Sequence, residues 1–156
     1  MGNEILNLLN NGDTVKILVT VDEGGTPHPA VKDSLRSEGD AITYIEFLES
    51  SRTNRYMIKS LWFNRAVSIL MLTPDGKSRE ITALPVRAIV NGKIFQRYYE
   101  EAQKKYSGLD IATVWVLRPL EIREETLQKR AAEESQNRPY FLHLDRLAKN
   151  ASEAAV

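Results

Sequence analysis

No cysteine occurs in the 156 residues. Disulfides, thiolate nucleophiles and Cys-ligated zinc or iron–sulfur sites are therefore excluded together. Histidine is nearly as scarce, with only His28 and His143, so a His-rich metal site is not expected. An excess of one charge is missing too: 21 Lys and Arg face 21 Asp and Glu. Without a net field nothing draws nucleic acid or an anionic membrane to the whole chain, and any anion must be held by a local group. No apolar run approaches the ~20 residues of a membrane-spanning helix. The N-terminal MGNEILNLLNN lacks the basic segment of a secretory signal, and Leu6 stands where a myristoylation signal wants Ser or Thr. The expectation is a cytoplasmic protein without nucleic-acid or membrane partners. Glycine-rich phosphate loops, His-Glu-x-x-His and Gly-x-Ser-x-Gly are also absent. An enzyme so poor in nucleophiles and bases would take its chemistry from a cofactor.

What is present suits one globular domain over residues 1–156. At 42% hydrophobic and 27% charged the composition is that of a compact fold. A chain of this size buries roughly 70% of the surface it exposes when unfolded, so no covalent staple is needed.

Ile5, Leu6, Leu8 and Leu9 give a short helix one apolar face, ended by Asn11-Gly12. Residues 15–21 form a strand with Val15, Ile17, Val19 and Val21 on one side. Glu23-Gly24-Gly25-Thr26 is a hairpin turn, and Pro27 and Pro29 put the return strand on an edge or rim. A turn over 37–40 leads to a strand at 41–48. Residues 53–63 predict a helix with Met57, Ile58, Leu61 and Trp62 as its apolar stripe. Strands follow at 66–72 and 81–90, separated by Thr73-Pro74-Asp75-Gly76, with Pro85 marking a bulge or an edge. A helix at 93–106 repeats Phe95, Tyr98, Tyr99, Ala102 and Tyr106 at helical spacing. Residues 111–117 are the last clear strand, stopped by Pro119, and 124–150 read as a charged helical extension. Tight turns join the early strands, which argues for antiparallel order. The fold class is mainly β (α+β): a six-stranded antiparallel barrel, closed or partly closed, with inserted and terminal helices. Trp115 is expected in the core, Trp62 and Phe63 in the core or a dimer interface, and His28 at the surface or rim.

One stretch concentrates chemistry: Glu49-Ser50-Ser51-Arg52-Thr53-Asn54-Arg55, where a strand gives way to a helix. Ser51 or Thr53 can cap that helix. The same helix end carries unpaired N–H groups and a positive dipole, and Arg52 or Arg55 can grip phosphate oxygens in a bidentate fork. The residues alone leave cap and anion site both open.

The order of elements, with "SSRTNR" one helix before "FNRAVSIL" (residues 63–70), resembles the pyridoxamine 5′-phosphate oxidase-like family of FMN-binding split β-barrels. The resemblance covers about residues 13–123. It implies that Ser51-Arg52-Thr53 stands where a Ser-Arg-Lys-like segment holds the FMN phosphate. The implied cofactor-binding set is Ser50, Ser51, Arg52, Thr53 and Asn54, with Lys32, on the strand where the family lays the flavin ring, and Lys59. Two departures are visible. Thr53 replaces the usual lysine, and the helix before Asn64 is about one turn longer; Arg55, Lys59, Lys32 or a residue of a second subunit would supply the missing cation. The C-terminal Trp-Gln and Arg-Leu-His-type signature of the true pyridoxamine phosphate oxidase is missing, and His143 and Arg146 do not restore it. The resemblance therefore implies an FMN-dependent oxidoreductase or flavin reductase. It would be a homodimer acting with NAD(P)H or a small-molecule substrate, without an assignable catalytic acid or base. The alternative it leaves is a non-enzymatic flavin- or haem-related binding or sensing module.

Overall fold

The computed structural model describes residues 1–139. Its elements run α1 (Asn3–Asn10), β1 (Val15–Val21), β2 (Pro27–Val31), β3 (Arg36–Glu38), β4 (Ala41–Glu46), α2 (Arg52–Trp62), β5 (Val67–Leu72), β6 (Ser78–Ile89), α3 (Gly92–Lys105), β7 (Thr113–Glu124) and α4 (Leu127–Asn137). The seven strands form one sheet in the order β2-β1-β5-β6-β7-β4-β3, with every neighbour antiparallel. The sheet does not close on itself, so β2 and β3 are its two edges. The mainly β, α+β architecture stands as expected. The seventh strand is β3, three residues inside the segment expected to be a turn, paired as Ser37↔Ile42. A strand that short carries no readable period-2 pattern; its partner β4 defines it.

The hairpin turns follow from local chemistry. Gly25 has φ +86° in the turn after β1, closed by the Asp22 amide donating to the Thr26 carbonyl at 3.0 Å. The prolines of β2 have a specific reason to be tolerated. The Lys32 amide donates to the Lys16 carbonyl at 2.8 Å, so the even-numbered residues of β2 face β1. Pro27 and Pro29 point their missing N–H groups off the free edge, where no ladder bond is lost and a foreign strand finds fewer donors. Pro85, by contrast, lies in mid-sheet: β6 runs between β5 and β7, with a register shift between Pro85 and Arg87. Of the two roles expected for it, the bulge is the one found.

Pro119 does not stop β7, which continues to Glu124. β4 pairs β7 only as far as Leu117, so beyond that point one side of β7 is free. On the other side, the register shift between Thr82 and Ala83 lies opposite Pro119. The proline thus sits where a missing N–H costs little.

Two clusters fill the interior. One joins Leu9 of α1 and Met57 of α2 to Leu18, Ile42, Tyr44 and Trp115 of the sheet; the other joins Tyr98 and Ala102 of α3 to Ile89 and Val114. Trp115 is fully buried, as expected of a core residue. The buried face of α2 differs from the expected stripe: Thr53, Asn54, Met57 and Ser60 face inward. Trp62 and Phe63 are 79% and 65% exposed, which overturns their core assignment. The reason is the helix end. Asn64 takes φ +53°, and the Phe63 and Arg65 amides return to the Lys59 and Ser60 carbonyls, a Schellman-type stop that leaves the last turn clear of the core. In α3, Tyr98 and Ala102 are buried while Tyr99 is exposed. α4 has no buried residue; the expected extension to residue 150, including His143 and Arg146, lies outside the described residues.

Candidate functional site

β4 ends at Glu46, and the chain turns through Leu48, whose carbonyl accepts the Ser51 amide at 3.0 Å. Ser51 is the N-cap of α2, extended at φ −63° and ψ 149°, and its hydroxyl accepts the Asn54 amide at 3.0 Å. Of the two capping candidates, Ser51 is the one used. Its carbonyl takes the Arg55 amide. That leaves the Arg52 and Thr53 amides, which make no hydrogen bond among the described residues. Unpaired donors at the positive end of an eleven-residue helix favour an anion.

The side chains divide into framework and free groups. Asn54 is buried: its Nδ2 donates to the Glu49 carbonyl at 3.0 Å and its Oδ1 accepts from Trp115 Nε1 at 3.0 Å. It therefore pins the turn to the core tryptophan. Thr53 is buried as well. Ser50, Arg52 and Arg55 are exposed, and neither arginine has a hydrogen bond or ion pair among the described residues. A guanidinium has five donors, so two of them beside two amides without partners concentrate hydrogen-bond donors at this helix end.

The structure brings Ser50, Ser51, Arg52, Thr53 and Asn54 together at one helix end and commits the two lysines to other partners. Lys59 is two turns further along α2, roughly 10 Å by helical rise, and is ion-paired with Glu23 of the β1–β2 turn. Lys32 donates to Glu46 Oε2 at 2.8 Å, and the other oxygen of Glu46 accepts the Leu48 amide. This pair tethers β2 to the segment leading into α2. Beneath it, Lys32 lies 5.6 Å from the Tyr44 ring centroid. The Tyr44 hydroxyl is buried without a partner among the described residues; burial first, and then the Glu46 charge, push its pKa well above the usual phenolic value. Of Arg55, Lys59 and Lys32, Arg55 is without an ion pair among the described residues.

A cleft of about 780 Å³ opens beside this helix end. Glu49, Ser50, Asn54, Arg55 and Asp110 contribute polar lining, and Phe47, Phe95 and Ile111 supply apolar surface. Apolar walls with a few convergent polar groups are the usual make-up of a cofactor-sized pocket. The aromatic residues were not legible as site residues: Phe95 belongs to a helical stripe, Phe47 follows the last residue of β4, and only the fold sets them in one cleft with Arg55. Among the described residues no group of three or more His, Asp or Glu could hold a metal ion. Among them, too, no helix is long and apolar enough to cross a membrane.

No protein-family model and no curated protein matches the chain. Solved structures do. An FMN-binding protein from Syntrophomonas wolfei subsp. wolfei is 18% identical with TM-score 0.67, covering 78% of this chain and 84% of its own. A Listeria innocua protein with a provisional pyridoxamine 5′-phosphate oxidase assignment is 21% identical with TM-score 0.59, covering 80% and 97%. The haem storage protein HutZ of Vibrio cholerae is 17% identical with TM-score 0.55, covering 78% and 92%. At these identities what is shared is the fold: the chain has the split-barrel architecture of the pyridoxamine 5′-phosphate oxidase-like proteins, as its sequence suggested.

Proposed function

We propose that this split-barrel chain is an FMN-binding flavoprotein that holds the cofactor phosphate at the N-terminus of α2 and serves as an oxidoreductase or flavin reductase. The observation that carries the reading is the set of unsatisfied donors there: two orphan amides, of Arg52 and Thr53, beside two unpaired guanidinium groups. These residues fit a phosphate dianion, which a neutral chain could not attract by its overall charge. Bound FMN would supply the hydride or electron transfer that the side chains here cannot. Arg52 and Arg55 would neutralise the phosphate, and Ser51 would fix the helix start. Asn54 would keep that start in register with Trp115, while Phe47 and Phe95 would exclude water from the adjoining cleft.

A homodimer completes the proposal. The outward face of β1 is apolar, and it continues across both neighbours through Ile17↔Val31 and Ile17↔Leu70. Val31 is 60% exposed, so this face is unpartnered in a single chain and suits a second copy.

Titration with FMN and with riboflavin, followed by flavin fluorescence, tests the phosphate reading. FMN should bind at least ten times more tightly than riboflavin, and Arg52→Ala should abolish most of that preference. Equal binding of the two flavins would sink it. The similarity to HutZ favours a second reading, a haem-related binding module; hemin producing a Soret shift while FMN leaves the protein unchanged would select it.

A further inference from the structure

A second cleft, of about 640 Å³, lies between α1, β1, the segment 33–38 and α3. It shares no lining residue with the cleft beside α2. Lys16 forms part of its wall, on the buried face of β1 and only 4% exposed. The Lys16 ammonium donates to the Leu9 carbonyl at 3.0 Å, at the C-terminal end of α1 where the helix dipole favours a cation. That uses one of its three donors. Among the described residues no carboxylate pairs with it, although a buried charge ordinarily needs such a partner. Burial draws its pKa down; Asp33 opposes the fall and Lys105 adds to it.

The other charges around this cleft largely cancel. Arg36 pairs with Glu101 and Glu38, and Arg97 with Glu38, which sets two cations against two anions. Lys16, Lys105 and Asp33 remain, without an ion pair among the described residues and with one net positive charge. Lys105 lies over the Tyr106 ring at 5.2 Å, on the rim. Leu9, Leu35 and Ile45, all buried, give the cleft an apolar floor.

We propose that this cleft is a binding site for a small organic carboxylate with an apolar body, its carboxylate held between Lys16 and Lys105 and its body on Leu9, Leu35 and Ile45. A monoanion matches the single excess charge and gives Lys16 the partner it lacks. A phosphate dianion would overshoot that charge. The volume accommodates a metabolite-sized molecule, and the site is independent of the flavin reading because no residue is common to both.

The test is titration of the ¹⁵N-labelled full chain with hexanoate, using hexanamide as the uncharged control. Hexanoate should produce saturable amide shifts around Lys16, Leu35 and Lys105, and hexanamide should produce none at the same concentration. Lys16→Met should weaken hexanoate by roughly tenfold or more, the effect of losing a charge-assisted hydrogen bond. Lys105→Gln, at an exposed position, should weaken it about threefold, and it decides alone if Lys16→Met does not fold. Absence of saturation, equal shifts with hexanamide, unchanged affinity in Lys105→Gln, or shifts centred on Arg52 and Arg55 would each overturn the proposal.

Discussion

Arg79 and Arg52 occupy opposite surroundings. Arg79, buried at the start of β6, donates to Glu4 of α1 at 2.8 Å, to Glu124 at the end of β7, to the Thr126 hydroxyl at 3.2 Å and to the Ser78 carbonyl at 3.1 Å. One guanidinium thus stitches α1, β6, β7 and the entry to α4 together through four hydrogen bonds. Arg52 begins α2 in the open, beside amides without a hydrogen bond among the described residues. The same side chain is structural where its partners belong to the fold and available for a ligand where they do not. This contrast separates the two ends of the molecule more sharply than charge or exposure alone, since Lys59 and Arg36 are also accessible and yet are paired.

If the contrast holds, the largest effect falls on stability at the paired end. Arg79→Ala removes a buried guanidinium together with its four hydrogen bonds, and it should cost about 3 kcal/mol, lowering Tm by roughly 6–12 °C in a calorimetric scan; an unchanged Tm would remove the distinction. Asn54→Ala probes the junction between framework and site. It leaves Trp115 Nε1 buried without an acceptor, a loss of about 2 kcal/mol, and should weaken FMN at the same time through a displaced turn. Arg52→Ala should do the reverse of Arg79→Ala, weakening FMN about tenfold while urea unfolding shifts by no more than ~0.5 kcal/mol. Val31→Glu places a charge on the apolar outer face and should convert the proposed dimer to monomer by light scattering, with the far-UV spectrum retained.

The smallest effect is a pH dependence confined to the Arg79 end. Partial burial pushes the Glu124 carboxyl up, but the Thr126 hydroxyl, Lys129, the Thr126 amide and Arg79 outweigh it and hold the pKa at about 2. A folded-state value below the unfolded one stabilises the fold fully above about pH 4.5, and that contribution fades as the pH falls from there toward 2. Glu124→Gln should therefore flatten the loss of stability between pH 5 and pH 3 in urea titrations. FMN affinity should not change across the same step through this group.

Much of the architecture was legible because it is local. The Ser51 cap, the Gly25 hairpin and the spacing of Tyr98 and Ala102 depend on residues within a turn or two of one another, and their physics does not need the rest of the chain. Other elements were not. The expected α2 stripe held at Met57 and Leu61 and failed at Ile58 and Trp62, because Asn54 and Ser60 take up the rest of the buried face and Trp62 answers to an Asn64 stop that carries the helix end past the core. β7 outruns Pro119 because its neighbour β4 has already ended there. Within the candidate site, the run from Ser50 to Asn54 could be read directly, since one strand–helix junction holds it together. Lys32 and Lys59 could not be sorted from Arg55, because Glu46 and Glu23, which take them up, are brought close only by the tertiary packing of segments that are not neighbours in the sheet.

β1 marks the boundary between the two kinds of knowledge. Its alternation, apolar at Val15, Ile17, Val19 and Val21 and mixed at Lys16, Leu18 and Thr20, established by itself that the segment is a strand with two unlike faces. Likewise the absence of cysteine and the exact balance of charge settled which chemistries need a cofactor or a local site. Which face of β1 turns inward was decided by the tertiary structure alone. The face carrying Lys16 is the buried one, because the α1 carboxyl end waits there with a carbonyl and a negative dipole, and because Leu18 joins the core between α1 and α2. Period-2 patterning fixes that two faces differ; only the elements packed above and below a strand fix which of them meets water.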